Sequence, residues 1–180
     1  MRKIIYNFYR KLFARQFLYK FNKAIYNLLV YSIGINNYES DSLSGEKNLL
    51  EIILSKYTEP VIFDVGANIG NYSNSIKSLS PNSILYSFEP HPKTFEILKT
   101  DSQKFGYNAY NLALGKEISK LMLYDYEQHS EGTEHASLFK ETFDNFYKEK
   151  VISYEVDVTT LDKFVKDNEV NKISLLKIDT

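Results

Sequence analysis

The sequence predicts an α/β fold, a parallel sheet of the Rossmann-like kind with helices on both faces, preceded by a basic amphipathic helix. Three observations carry this. Short apolar runs bounded by turn formers alternate with stretches whose apolar residues recur at steps of three and four. The first of those runs, Val61-Ile62-Phe63-Asp64, passes directly into a glycine turn, Gly66-Ala67-Asn68-Ile69-Gly70. All 23 Asp and Glu residues of the 180-residue chain follow Tyr38, so the first segment has a charge character of its own.

In that first segment, Ile5, Phe8, Leu12, Phe17, Phe21, Ala24, Ile25, Leu28 and Leu29 fall mainly three or four apart. They form the apolar face of one helix whose opposite face carries Lys and Arg. Such a helix either packs on the domain or on a partner subunit with its lysines in water, or lies on an anionic membrane surface. Residues 32–44, rich in turn formers such as Ser and Asn, read as a connector, which places a boundary between segments 1–44 and 45–180.

From Gly45 to about Tyr57, Leu49, Leu50, Ile53 and Leu54 mark a helix that covers a sheet face. After the glycine turn, Ile69, Tyr72, Ile76 and Leu79 are helix-spaced, and Pro81-Asn82-Ser83 ends that helix before a second strand, Ile84–Phe88. Pro92 suits the first position of a third covering helix, with Phe95, Leu98 and Phe105 inward and Gly106 as its C-terminal cap. Tyr107–Leu112 reads as a third strand. Leu121–Tyr124 suggests a short strand, and the polar stretch 126–137 after it is too long for a mere connector and is a candidate substrate loop. Ile152, Tyr154, Val156 and Val158 alternate with polar residues, as in a half-solvated antiparallel strand. Thr160 can cap a helix bearing Leu161, Phe164 and Val165, and Ile173–Ile178 reads as a buried strand closed by Asp179.

The chemistry centres on the glycine turn. Glycine lets the backbone bend sharply and approach a ligand, and the helix that follows presents unbonded N–H groups at the same place. Glu89, at the end of the second strand, stands where nucleotide-binding α/β units hold a carboxylate to receive two ribose hydroxyls. The spacing is G-x-x-x-G with Asn68 inside it, whereas pyrophosphate binding asks for G-x-G-x-x-G. A nicotinamide-dependent reductase is therefore the weaker reading.

Asp64-Val65-Gly66-Ala67-Asn68-Ile69-Gly70 resembles motif I of class I S-adenosylmethionine-dependent methyltransferases. Together with Phe88-Glu89-Pro90, Ala113-Leu114-Gly115, Ala136-Ser137-Leu138, Thr160-Leu161-Asp162 and Leu176-Lys177-Ile178-Asp179-Thr180, it resembles the FkbM-type family, from about Gly45 onward. The resemblance implies a sheet of order 3-2-1-4 with Asp64, Glu89 and Asp179 at the carboxyl ends of neighbouring strands. It implies S-adenosylmethionine as cofactor, with Gly66 and Gly70 admitting its methionine end, Asp64 and Asn68 orienting its polar groups, and Glu89 on the ribose. Asn111 would lie beside the adenine and Ser137 would face cofactor or acceptor. The reaction implied is O-methylation of a hydroxyl on a sugar, a polysaccharide precursor or another small molecule. For a general base, His135 and His129 are the candidates, and Asp179, a carboxylate closing a buried strand at the crevice, is the further catalytic candidate. In the family a helix and a further parallel strand follow the Lys-Ile-Asp-Thr segment. A chain ending at Thr180 is thus expected to be a truncated form, less stable and prone to pair or aggregate, and a non-catalytic cofactor-binding module is the alternative to an enzyme.

Several classes are excluded or disfavoured. There is no cysteine, hence no disulfide or thiolate metal site, and His91, His129 and His135 lack zinc-ligand spacing. The core domain is acidic without a basic aromatic patch, which disfavours nucleic acid. No apolar run reaches the roughly 18 residues needed to span a bilayer, and no export signal follows the basic start, so the enzyme-like part is expected in the cytoplasm.

Overall fold

The computed structural model describes residues 2–32, 45–126 and 151–179. The chain divides into two compact units, Met1–Leu49 and Leu50–Thr180.

The first unit holds α1 (Arg2–Phe13), a 3-10 turn (Gln16–Leu18) and α2 (Tyr19–Ser32). The single helix expected from the periodicity is thus two. The chain breaks where Arg15 becomes extended (φ −114°, ψ 142°). The last carbonyls of α1 are then satisfied locally, Phe13 O accepting from Arg15 N at 2.8 Å and from the Asn22 side chain at 2.8 Å. A regular helical period carries on across such a corner because it reports which residues are apolar, not where the axis turns.

The second unit is built on a parallel sheet of order β3-β2-β1-β7, with β1 Val61–Val65, β2 Ile84–Phe88, β3 Asn108–Tyr110 and β7 Leu175–Ile178. This is the expected 3-2-1-4 order. Alternation along β1 sends Ile62 to one face and Phe63 and Val65 to the other, all nearly inaccessible. On the first face, Ile62 and Leu85 pack with Leu50 and Leu54 of α3 (Glu46–Leu54), Ile76 of α4 (Asn71–Leu79) and Leu98 of α5 (Pro92–Phe105). On the second, Phe164 of α6 (Leu161–Asp167) meets four sheet rings edge-on: Phe88 at 4.8 Å, Tyr110 at 4.9 Å, Tyr86 at 5.5 Å and Phe63 at 5.8 Å. Edge-to-face contacts of this kind place a ring's positive rim on its neighbour's negative face.

The helices start and stop where local chemistry says. Thr160 caps α6 by accepting from Lys163 N, Pro92 opens α5, and Gly106 closes it at φ +77°.

A second sheet, β4-β6-β5, comprises β4 Ala113–Leu114, β5 Ser119–Tyr126 and β6 Val151–Thr159, with β5 and β6 antiparallel as the alternation in β6 predicts and β4 parallel to β6. Its existence as a separate sheet was not legible in the sequence.

Two strand readings need correction. The third strand is shorter than residues 107–112. The last strand is half buried, with Leu176 at 39% and Ile178 at 64% exposure, because β7 has β1 on one side and no other strand beside it among the described residues.

Candidate functional site

Asp64, Glu89 and Asp179 come together at the carboxyl edge of the sheet because β2, β1 and β7 are adjacent and parallel. In an open parallel sheet this edge is where ligands bind.

Between β1 and α4 the chain bends through three left-handed residues, Gly66 (φ +76°), Asn68 (φ +49°) and Gly70 (φ +95°). Gly66 N and Ala67 N donate to Phe88 O at 3.0 and 2.9 Å, which ties the turn to the end of β2. Asn68 N then donates to Glu89 Oε2 at 2.9 Å, and His91 N donates to Glu89 Oε1 at 2.8 Å. Each carboxylate oxygen of Glu89 thus takes one backbone N–H and keeps acceptor capacity. Burial pushes the Glu89 carboxyl above its ordinary pKa, opposed by the two N–H donors and by Lys177, and assisted by the charge of Asp64.

Asp64 is completely buried. Ser73 of α4 donates to its Oδ2 at 2.7 Å, and since that spends the one Ser73 proton, Ser87 of β2 must donate to Ser73 across 2.7 Å. Asp64 Oδ1 makes no hydrogen bond but lies 3.2 Å from Lys177 Nζ, an ion pair without hydrogen-bond alignment. The same ammonium is 3.3 Å from Gly66 O, 3.6 Å from Asp179 Oδ2 and 5.3 Å from the centre of the Tyr72 ring. Asp179 itself is 81% exposed on its side chain.

Other expected site residues have other placements. Gly70 lacks a side chain for a packing reason: a Cβ there would sit 2.7 Å from Tyr107 Oη and 2.9 Å from Leu98 Cδ1. Asn111 spends its amide nitrogen on Glu89 O at 2.8 Å and Pro90 O at 2.9 Å, bracing the loop that carries the carboxylate. His129, His135 and Ser137 lie outside the described residues.

The residues not singled out from the sequence are Lys177, Ser73 and the pair His91–Asp125. Lys177 stands two residues before Asp179, and strand alternation would have put both on one side. His91, 1% exposed, caps α5 by accepting from Thr94 N at Nδ1, which leaves its ring proton on Nε2, 3.2 Å from Asp125 Oδ2 of β5. Tyr154 of β6 meets the ring edge-on at 4.8 Å. Burial lowers the His91 pKa, with Asp125 pulling the other way.

A model of the FkbM methyltransferase domain matches residues 64–180. The chain belongs to the FkbM methyltransferase family. This FkbM domain is 28% identical over 134 residues to Methyltransferase 1 of Beauveria bassiana (strain ARSEF 2860), covering 66% of the chain and 53% of that relative, so the chain spans about half its length. Among solved structures it is similar to an FkbM methyltransferase from Methylobacillus flagellatus KT (TM-score 0.45, 11% identity, 78% of this chain and 34% of that one). A precorrin-6y C5,15-methyltransferase from Geobacter metallireducens GS-15 is also similar (TM-score 0.31, 14% identity, 46% and 63%).

At this edge of the FkbM domain negative charge outweighs positive. Three carboxylates share the edge with the Lys177 ammonium, and Glu89 retains acceptors for two hydroxyls. Among the described residues no cluster could hold a metal ion, and no helix is long and apolar enough to cross a membrane.

Proposed function

We propose that the domain binds S-adenosylmethionine at the carboxyl edge of the sheet and transfers its methyl group to a hydroxyl of a sugar, a polysaccharide precursor or another small molecule. The observation that carries this reading is the hydrogen bond from Asn68 N to Glu89 Oε2, which makes the glycine turn and the ribose-type carboxylate one site. When bound, the cofactor supplies an electrophilic methyl carbon on a sulfonium. Glu89 receives the ribose hydroxyls on its remaining lone pairs. Lys177 offers its partly exposed ammonium to the carboxylate of the methionine end, Asp64, buried beneath it, orients that ammonium and does not itself reach the ligand, and Asn68 shapes the turn beside them. Gly66 and the start of α4 keep the backbone open to close approach, while Gly70 packs the turn and Asn111 holds the Glu89 loop.

Methyl transfer depends chiefly on orientation, and an alcohol acceptor adds the need for a base. Asp179 is exposed at the same edge and is the proposed acceptor of the hydroxyl proton, with His135 the other proposed candidate. Cytoplasmic residence belongs to the same proposal.

Calorimetric titration with S-adenosylmethionine, S-adenosylhomocysteine and NAD tests the cofactor. The reading expects the first two to bind and NAD not to. NAD protection against heat without protection by the methyl donor would overturn it. Transfer of labelled methyl to glycan hydroxyls then separates an enzyme from a binding module, which would bind the donor and transfer nothing.

A further inference from the structure

The first unit carries an arrangement the methyltransferase site does not explain. In α1, Ile4, Phe8 and Leu12 repeat at i, i+4 and i+8, and Tyr9 and Phe13 widen the stripe. Lys3, Asn7 and Arg10 repeat on the opposite side, with Lys11. In α2, Phe21, Ile25 and Leu28 form the apolar stripe and Lys20, Lys23 and Asn27 the polar one. In an ordinary covering helix the apolar stripe is the buried one. Here it is open: Ile4 is 74% exposed, Phe8 65%, Phe17 between the helices 81% and Leu28 70%.

The charge says what covers it. The chain's acids all follow Tyr38, so residues 2–32 pair an exposed aromatic and aliphatic face with cations alone. At the corner between the helices, Arg15 and Lys20 line a depression together with Phe17 and Tyr19. Tyrosine recurs throughout (Tyr6, Tyr9, Tyr19, Tyr26, Tyr31), a side chain with an apolar body and a polar tip that suits a boundary between oil and water. Neither helix is long enough to cross a bilayer.

We propose that residues 2–32 lie on an anionic membrane surface, with the apolar stripes of α1 and α2 in the acyl boundary and the lysines and arginines among acidic headgroups. Both contributions are needed: apolar area supplies depth, and the cations supply preference for anionic lipid.

The test is co-sedimentation of the full chain with vesicles of phosphatidylcholine alone or mixed with phosphatidylglycerol, and with the doubly substituted chain Phe8→Glu, Leu28→Glu. Both positions are exposed, so helicity by circular dichroism should be unchanged. The expected result is partitioning onto the mixed vesicles about tenfold above pure phosphatidylcholine, falling as salt screens the headgroups, and lost in the double variant. Absence of binding to mixed vesicles would overturn the proposal, as would equal binding to both compositions. A stable dimer in sedimentation velocity, dissociated by the double variant and indifferent to vesicles, would assign the face to a second copy instead.

Discussion

The backbone N–H of Asn68 donates to Oε2 of Glu89 at 2.9 Å, closing a ring between the turn after β1 and the end of β2. It has a cost and a use. A buried carboxylate is expensive unless its oxygens are bonded, and the Asn68 and His91 amides bond both. What remains is a carboxylate with acceptor capacity to spare beside a backbone that bends through left-handed residues, the proposed floor for a nucleoside.

Lys177→Met is expected to destabilise the protein by about 3 kcal/mol, since it leaves the buried Asp64 without its counter-charge. The double change Asp64→Asn, Lys177→Met should recover a substantial part of that loss. Urea denaturation of the two single variants and the double variant checks the coupling. Additive losses would mean that the 3.2 Å approach carries little energy.

Gly70→Ala combines a left-handed backbone with a collision against Tyr107 Oη and Leu98 Cδ1, and should cost roughly 2–4 kcal/mol. Gly106→Ala meets nothing within 4 Å at φ +77°, and should cost about 1 kcal/mol. Adding Tyr107→Phe to Gly70→Ala removes the nearest atom and should restore part of the midpoint. Equal losses at positions 70 and 106 would remove the packing explanation for Gly70.

The buried pair His91–Asp125 makes stability depend on pH. Because burial lowers the His91 pKa, the folded state holds fewer protons than the unfolded chain, whose histidine titrates near about 6.5. Its contribution is therefore present above that value and lost as pH falls through the folded pKa. Glu89 has the opposite sign: its raised pKa gives a contribution present at low pH and lost as pH rises through the folded value. His91→Asn keeps a side chain able to cap Thr94 N but cannot titrate. Thermal melts between pH 7 and about pH 5 should fall less steeply in that variant. Parallel curves would contradict a buried neutral imidazole.

Phe164→Ala removes the ring on which Phe63, Tyr86, Phe88 and Tyr110 converge, and should cost about 3–5 kcal/mol. Loss of near-ultraviolet circular dichroism together with a lowered urea midpoint would report it. A loss under about 1 kcal/mol would show that the cluster refills the space.

How much of this was visible in the chain depends on whether the information is local. Pro92, Gly106 and Thr160 act within one helical turn of themselves, so their roles could be read directly. The parallel order followed from strand and helix alternation, and it carried Asp64, Glu89 and Asp179 to one edge. Lys177 meets Asp64 through the register of β7 on β1, which sets Lys177 opposite Asp64, and the one local sign of it is the two-residue spacing from Lys177 to Asp179. His91 and Asp125 likewise depend on where β5 and β6 lie. At Gly70 a left-handed bend and a contact with Tyr107 leave the same mark in the sequence as a cofactor glycine. The corner at Arg15 left none, since apolar spacing continues through it.

The central claim is that the bend at Gly66–Gly70 and the carboxylate of Glu89 hold one S-adenosylmethionine molecule. Calorimetric titration of S-adenosylhomocysteine into the native chain and into Glu89→Gln measures it most directly. Replacing charge-assisted hydrogen bonds worth about 1.5–3 kcal/mol should weaken binding roughly 10- to 100-fold. Binding to the native chain with an affinity unchanged in Glu89→Gln would contradict the account.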